Sequence, residues 1–162
     1  MINTANDKPD SYIHPDYADK EWSMTPKRYA SSIRRIDNSI ADIRQTLTDL
    51  GLAENTIVIF TSDHGPSRES YLEERLSPPF FGSYGPFTGI KRDCWEGGIR
   101  PGALAAWPHK IQPKSITESP SQMHDWLATL CDVAGAPTPA VADGVSLIPT
   151  LTGQENPPVS TI

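Results

Sequence analysis

Asp63 and His64 are adjacent residues whose carboxylate and imidazole can both bind a divalent cation. They follow residues 56–61, which are all β-branched or aromatic and uncharged, a pattern typical of a strand covered on both faces of a parallel sheet. Gly65 and Pro66 then break the pattern. Because ligands bind at the carboxyl ends of strands in open α/β sheets, this position favours a binding site. An ordinary turn or a helix cap explains the same residues.

Lys91 is the second residue with candidate chemistry, because it lies in a glycine-flanked run, residues 89–98. Glycines allow the backbone to approach another group closely, and a lysine there is a compact point charge for an anion. The residue alone leaves open the alternative of a solvated surface lysine.

One long helix is predicted over residues 25–50, with Thr25 as its cap, Pro26 at its first position and Gly51 as its stop. Its apolar residues recur at steps of four and three and form one stripe: Tyr29, Ile33, Ile36, Ile40, Ile43, Leu47 and Leu50. A coiled coil and a helix lying on a sheet both explain the stripe. The strand that follows closely favours the sheet.

Further along the chain, a strand is predicted over residues 103–107 and a second helix over residues 122–134, with Gly135 just past its end. The predicted buried face of that helix comprises Met123, Trp126, Leu127, Leu130 and Val133. Asp125 is interpreted structurally, since an acidic residue in a first turn complements the helix dipole.

Residues 66–88 form a long predicted loop rich in proline and aromatic residues. Loops of this length within compact domains are commonly functional, and the aromatic content argues against disorder. Phe80, Phe81 and Tyr84 are therefore candidates for stacking on a sugar or phenyl ring.

The composition limits the classes of function. A net charge of −6 without a basic cluster argues against a nucleic-acid partner. No apolar run approaches the roughly 20 residues that span a bilayer, and residues 1–8 lack the apolar core of a signal peptide. Cys94 and Cys131 match no paired zinc-ligand spacing.

Taken in order, these segments resemble the carboxyl-terminal half of the catalytic domain of type I sulfatases, members of the alkaline phosphatase superfamily. The resemblance covers roughly residues 27–153 and is carried by residues 35–37, 55–65, 89–91, 95–100, 107–111, 125, 130–135 and 143–147. It implies an α/β fold: part of an alkaline-phosphatase-like sandwich with a mainly parallel sheet flanked by helices, incomplete in this chain. The predicted organisation is an irregular lead-in (1–24), the sulfatase-like part (25–157) and a tail (158–162).

The resemblance also implies roles for individual residues. Asp63 matches the family's acidic metal ligand, and His64 falls where many members have Asn and some have His, as a neighbouring ligand. Lys91 matches the catalytic lysine that contacts the substrate's sulfate group. The implied metal is Ca²⁺, with Mg²⁺, Mn²⁺ and Zn²⁺ as alternatives. The implied substrate is a sulfate ester, either a sulfated carbohydrate or an aryl sulfate.

The sequence departs from the family at the nucleophile. These enzymes oxidise the first residue of a (Cys/Ser)-x-Pro-x-Arg motif to formylglycine, and this chain has no such motif; residues 77–81 come closest but lack the arginine. The family's paired amino-terminal aspartates are also absent. We therefore expect a fragment that is inactive alone and needs the missing amino-terminal half of the same protein. The resemblance implies that the full-length parent protein is exported. The alternatives are a phosphatase or phosphodiesterase relative and a noncatalytic, degenerate domain.

Overall fold

The computed structural model describes residues 11–68, 74 and 76–154. The elements within these residues are α1 (Pro15–Ala18), α2 (Met24–Asp49), a 3₁₀ turn (Ala53–Asn55), β1 (Val58–Thr61), α3 (Pro78–Phe81), α4 (Glu96–Ile99), β2 (Ala103–Ala106), α5 (Asp125–Ala134) and α6 (Ile148–Leu151). The two long helices and the two strands thus lie where the sequence predicts them. The lead-in differs, because it contains the single turn α1.

The start of α2 is held by a contact with a distant part of the chain. The Ser23 hydroxyl donates to the Glu74 carboxylate at 2.6 Å, and the Thr25 hydroxyl donates to the Glu74 carbonyl at 3.0 Å. Thr25 is buried within the first turn, and Ser23 occupies the position before the helix, so the prediction of Thr25 as the cap is wrong. Gly51 has φ +68°, which confirms the predicted stop.

The buried part of α2 lies near its amino-terminal end, at Thr25, Pro26, Ala30, Ser31 and Ser32. The predicted apolar stripe is exposed in part: Ile33, Ile43 and Leu50 are each at least half accessible to solvent, and the other four residues are partly buried. The described residues therefore cover the stripe only in part. The packing of α2 on a sheet stays a prediction.

The two strands form one two-stranded sheet. The hydroxyl of Thr61, at the end of β1, lies 3.5 Å from the carbonyl oxygen of Gly102, just before β2, as expected for an antiparallel pair. Phe60 is exposed, so the prediction that both faces of this strand are covered is wrong for the described residues. A mainly parallel sheet stays a prediction.

Helix α5 buries a different face from the predicted one. Asp125, Ala128 and Thr129 are buried, whereas Met123, Leu127 and Leu130 are exposed. The buried face is polar because it binds the chain that leads into α6: the Leu147 N–H donates to the Thr129 hydroxyl at 2.9 Å. Hydrogen bonding, rather than apolar character, selects this face.

The described residues belong to two compact units, one drawn from Met1–Leu50 and Thr61–Gly102 and the other from Gly51–Phe60 and Ala103–Ile162. The domain limits predicted from the sequence stay predictions, and residues 1–10 and 158–162 lie outside the described part of the chain. Within that part, no helix combines the length and the apolarity that a membrane crossing requires.

Candidate functional site

The ligand segment, residues 62–66, follows β1 directly and carries both predicted metal ligands. The Asp63 Oδ2 atom lies 3.1 Å from the His64 Nε2 atom, with side-chain exposures of 79% and 32%. On its other side, the His64 ring bonds through Nδ1 to the carbonyl oxygen of Gly65 at 2.8 Å. The Ser62 hydroxyl donates to the His64 carbonyl at 3.0 Å, which ties the start of the segment to its centre.

The hydrogen bond at Nδ1 fixes what the other imidazole nitrogen can do. A carbonyl oxygen only accepts, so Nδ1 of His64 must carry the proton in that bond. In the neutral ring Nε2 then presents a lone pair to the Asp63 carboxylate, and two acceptors face each other. A second proton on the ring or a shared cation resolves this conflict. Metal-binding histidines commonly donate their other N–H to a backbone carbonyl in this way.

The glycine-rich loop, residues 88–98, is bonded directly to the ligand segment. The Gly65 N–H donates to the Gly98 carbonyl at 2.8 Å, and the Lys91 N–H donates to the Pro66 carbonyl at 2.8 Å. The backbone of Lys91 is therefore hydrogen-bonded to Pro66, which lies two residues after His64 in the sequence. Lys91 is half-buried. Both segments lie in the same compact unit.

This contact depends on the absence of side chains at two glycines. A Cβ atom built on Gly65 would overlap the carbonyl oxygen of Gly97, and one built on Gly97 would overlap that of Gly89. Gly97 is also held by its N–H, which donates to the Thr88 carbonyl at 2.8 Å. Close backbone approach, rather than catalysis, explains the glycines of this loop.

Two ligands are a partial fit to a divalent cation. Neighbouring ligands of one ion lie about 3 Å apart when each metal contact is about 2.0–2.6 Å, and the pair of Asp63 and His64 is consistent with this separation. Calcium takes six to eight oxygen contacts. No group of three or more His, Cys, Asp or Glu side chains suited to a metal occurs within residues 11–68, 74 and 76–154. Further ligands would have to come from elsewhere.

The aromatic residues proposed for substrate stacking have structural contacts. Phe81 packs edge-on against Trp22, with ring centroids 5.3 Å apart, and stacks on Tyr29 at 5.8 Å. Phe80 contacts both Trp22, at 5.5 Å, and Phe81, at 4.7 Å. These contacts join α3 to Tyr29 on α2 and to Trp22 just before that helix, so they provide a structural reason for Phe80 and Phe81 that the sequence pattern did not indicate. Within the described part of the chain, no such ring contact involves Tyr84.

Asp125 is confirmed as structural. Its carboxylate accepts the N–H of Gln122 at 2.7 Å and that of Val145 at 3.0 Å, and the residue is completely buried. It therefore connects the start of α5 to the chain before α6.

The fold and the site define an α/β chain in which a carboxylate–imidazole pair after a strand is bonded to a lysine-bearing loop. A profile of the family described as Sulfatase matches residues 3–136. The chain belongs to the sulfatase family.

Similar proteins and a similar structure agree with this assignment. The chain is 38% identical over 141 residues to "N-acetylgalactosamine-6-sulfatase" of Homo sapiens, covering 85% of this chain and 26% of that protein. It is 40% identical over 147 residues to "Steryl-sulfatase" of Rattus norvegicus, covering 88% and 24%. The crystal structure of PsFucS1 sulfatase from Pseudoalteromonas sp. matches with a TM-score of 0.70 and 25% identity, covering 93% and 29%. The chain thus spans about a quarter of the length of these relatives.

Proposed function

We propose that this chain supplies the cation-binding and sulfate-contacting part of a sulfuric ester hydrolase, with Asp63 and His64 as metal ligands and Lys91 as the residue that contacts sulfate. The observation that carries the proposal is the pair of backbone hydrogen bonds from the glycine-rich loop to the ligand segment. Through these bonds, the fold keeps the backbone of a cationic residue next to a carboxylate–imidazole pair.

Sulfate ester cleavage places negative charge on the sulfate oxygens and on the leaving oxygen. A bound divalent cation would supply a Lewis acid that offsets this charge. His64 holds its donor atom in place beforehand, because its ring is fixed by the bond to the Gly65 carbonyl. Lys91 contributes a positive charge at the substrate anion, and such stabilisation by fixed charges is commonly worth several kcal/mol.

Calcium is the metal we propose, with magnesium, manganese and zinc as alternatives. The exposed carboxylate of Asp63 suits a hard cation that prefers oxygen, whereas the imidazole of His64 also suits manganese or zinc. The remaining ligands come, in this proposal, from the missing amino-terminal half of the same protein. That half would also carry the formylglycine, since the chain has no (Cys/Ser)-x-Pro-x-Arg motif.

The proposed parent is an alkaline-phosphatase-like sandwich with a mainly parallel sheet. Two observations support a larger domain: the relatives are about four times as long as the matched region, and α2 exposes part of its apolar stripe. In that parent, further strands would cover β1 and the stripe of α2.

The proposed substrate is a sulfate ester of an alcohol that the present residues do not select. The names of the two relatives indicate a sulfated sugar for one and a steryl sulfate for the other. The part of the site proposed here would contact the sulfate group that both kinds of ester share. A sulfated carbohydrate and an aryl sulfate are thus both compatible with it.

Metal binding tests the proposal directly. We expect Ca²⁺, titrated into the chain and followed by amide NMR, to shift the signals of Asp63, His64 and Gly65. Asp63→Ala and His64→Ala should each weaken the apparent affinity at least about tenfold, because changes even to residues that only orient a metal ligand commonly cost that much. Asp37→Ala is the matched control, since Asp37 is an exposed residue that pairs with Arg34 on α2.

Unchanged Ca²⁺ affinity in both site variants would contradict the metal assignment and favour a noncatalytic domain.

A second measurement concerns turnover. The purified chain alone should hydrolyse neither aryl sulfate nor aryl phosphate above the buffer rate. Robust sulfate ester hydrolysis would refute the need for a second half, and preferential phosphate ester hydrolysis would favour the phosphatase alternative.

A further inference from the structure

The turn that carries Lys91, residues 90–93, is closed by two hydrogen bonds that both involve Asp93. The Asp93 N–H donates to the Ile90 carbonyl at 2.9 Å. In the opposite direction, the Asp93 Oδ2 atom accepts the Ile90 N–H at 2.9 Å. Lys91 and Arg92 are the two central residues of this turn, so Asp93 connects its two ends through both the backbone and the side chain.

The backbone of this turn is strained at its second central residue. Arg92 has φ +79°, in the left-handed region that favours glycine. A turn with positive φ at that position normally carries Gly or Asn there. Because a left-handed backbone conformation is intrinsically unfavourable for arginine, contacts with other residues must hold Arg92 in it.

Asp93 and the ligand segment supply contacts of that kind. The bond from the Lys91 N–H to the Pro66 carbonyl fixes one side of the turn, and the Asp93 carboxylate fixes the other by capping Ile90. Losing the carboxylate bond leaves the Ile90 N–H without this acceptor and allows the turn to relax towards conformations better suited to Arg92. The direction in which Lys91 leaves the backbone would then change.

We propose that Asp93 is a positioning residue for Lys91, acting through the hydrogen bond of its side chain rather than through its charge. This inference rests on the proposed function, in which Lys91 contacts the sulfate group. A loop held beforehand in its binding conformation loses less entropy on binding, so Asp93 increases anion affinity even though its own charge opposes an anion.

Two substitutions separate the hydrogen bond from the charge. Asp93→Asn keeps an oxygen that can accept the Ile90 N–H and removes the negative charge, whereas Asp93→Ala removes both. If the hydrogen bond is what matters, Asp93→Asn binds sulfate as well as or better than the wild type. Asp93→Ala then binds it roughly threefold to tenfold more weakly, the usual effect of one hydrogen bond.

The experiment titrates inorganic sulfate into the 162-residue chain and follows amide NMR shifts and thermal melting for the wild type, Asp93→Asn, Asp93→Ala and Lys91→Ala. Asp37→Ala again serves as the control for an exposed acidic residue outside the site. Hydrogen exchange at the Ile90 and Lys91 amides reports on the turn independently of sulfate. We expect exchange to accelerate in Asp93→Ala and to remain near the wild-type rate in Asp93→Asn.

The outcomes distinguish this inference from the proposed function. If Lys91→Ala weakens sulfate binding but Asp93→Ala does not, the positioning role is overturned and the function of Lys91 stands. Equal losses in Asp93→Asn and Asp93→Ala overturn it too, because charge would then be the cause. If Lys91→Ala binds sulfate like the wild type, or if neither binds it, the sulfate-contacting role fails. Even if the sulfate-contacting role fails, amide exchange still tests whether Asp93 closes the turn. Unchanged exchange in Asp93→Ala overturns that role, and exchange that is faster in Asp93→Ala but not in Asp93→Asn supports it.

Discussion

Gly65 lies between the candidate metal ligands and Pro66, whose carbonyl accepts the Lys91 N–H. Its N–H donates to the Gly98 carbonyl, and its α-carbon lies so close to the carbonyl oxygen of Gly97 that a side chain would overlap that oxygen. The candidate site therefore depends on a contact between two backbones. A residue with no catalytic group controls whether that contact forms.

Gly65→Ala should destabilise the chain by about 1–3 kcal/mol, because the new methyl group overlaps backbone that cannot rotate away. Gly102→Ala is the matched control, since among the described residues none beyond its chain neighbours places an atom within 4 Å of the added Cβ, and its φ is not positive. That substitution should be neutral or stabilising by up to about 1 kcal/mol. Urea unfolding of the two variants measures the difference. Equal stabilities would show that the contact between the segments does not form in solution.

At the scale of elements, α5 is joined to the chain before α6 by polar contacts rather than by an apolar face. Asp125 binds two backbone N–H groups, and Thr129 accepts a third from Leu147. Burying polar groups of this kind costs little folding free energy while they are hydrogen-bonded, but it costs much more when a hydrogen-bond partner is removed. The position of this segment should therefore depend strongly on Asp125.

We predict that Asp125→Ala lowers the free energy of unfolding by about 2–4 kcal/mol, because it leaves the N–H groups of Gln122 and Val145 without their acceptor. Asp132→Ala, on the same helix, removes only an exposed bond from the Ser146 hydroxyl and should cost less than about 1 kcal/mol. Thermal denaturation followed by circular dichroism compares the pair. A larger effect at Asp132 would contradict the structural role of Asp125.

The aromatic contacts between α3 and α2 lead to a second prediction at this scale. Phe81→Ala should destabilise the chain by about 1–3 kcal/mol, since its ring packs on both Trp22 and Tyr29. Ile116→Ala provides the control: Ile116 is 92% exposed, and its loss should change stability by less than about 0.5 kcal/mol. Chemical denaturation measures both. If Phe81→Ala is neutral, Phe81 is again free to serve as a stacking residue for substrate.

At the scale of the whole molecule, the described residues expose many large apolar side chains. On α2 these include Ile33 and Ile43, which belong to the predicted apolar stripe. An exposed stripe on a helix of this length is typical of a surface that another element covers. This agrees with the proposal that the chain completes its fold with further residues of a longer protein.

The double substitution Ile33→Glu and Ile43→Glu should therefore reduce self-association of the isolated chain without lowering its melting temperature appreciably. About half of each residue's surface is exposed, at 50% for Ile33 and 53% for Ile43, and a glutamate at either position can reach solvent. Leu147→Glu, at a residue that is only 5% exposed, should instead destabilise the chain by more than about 3 kcal/mol. Analytical ultracentrifugation and thermal melting compare the wild type, the double variant and Leu147→Glu. A marked loss of stability in the double variant would show that the stripe is packed inside the chain.

The sequence by itself determined the local features of this protein. The strand before Asp63, the long helix ending at Gly51 and the helix ending before Gly135 follow from hydrophobic periodicity and from residues that stop helices, which act within a few positions of the chain. The ordered motifs also identified the sulfatase family, which the profile match confirms. The roles of Asp63, His64 and Lys91 remain predictions based on that resemblance.

Only the tertiary structure decided which faces are covered and how distant segments meet. Periodicity shows that one side of a helix is apolar, but it does not show whether this chain contains anything to cover that side, and so most of the predicted buried face of α5 is exposed and the stripe of α2 is covered only in part. The bond between Gly65 and Gly98, and the one between Thr25 and Glu74, join residues far apart in sequence. No local pattern encodes such pairs, because each depends on the path of the whole backbone between them.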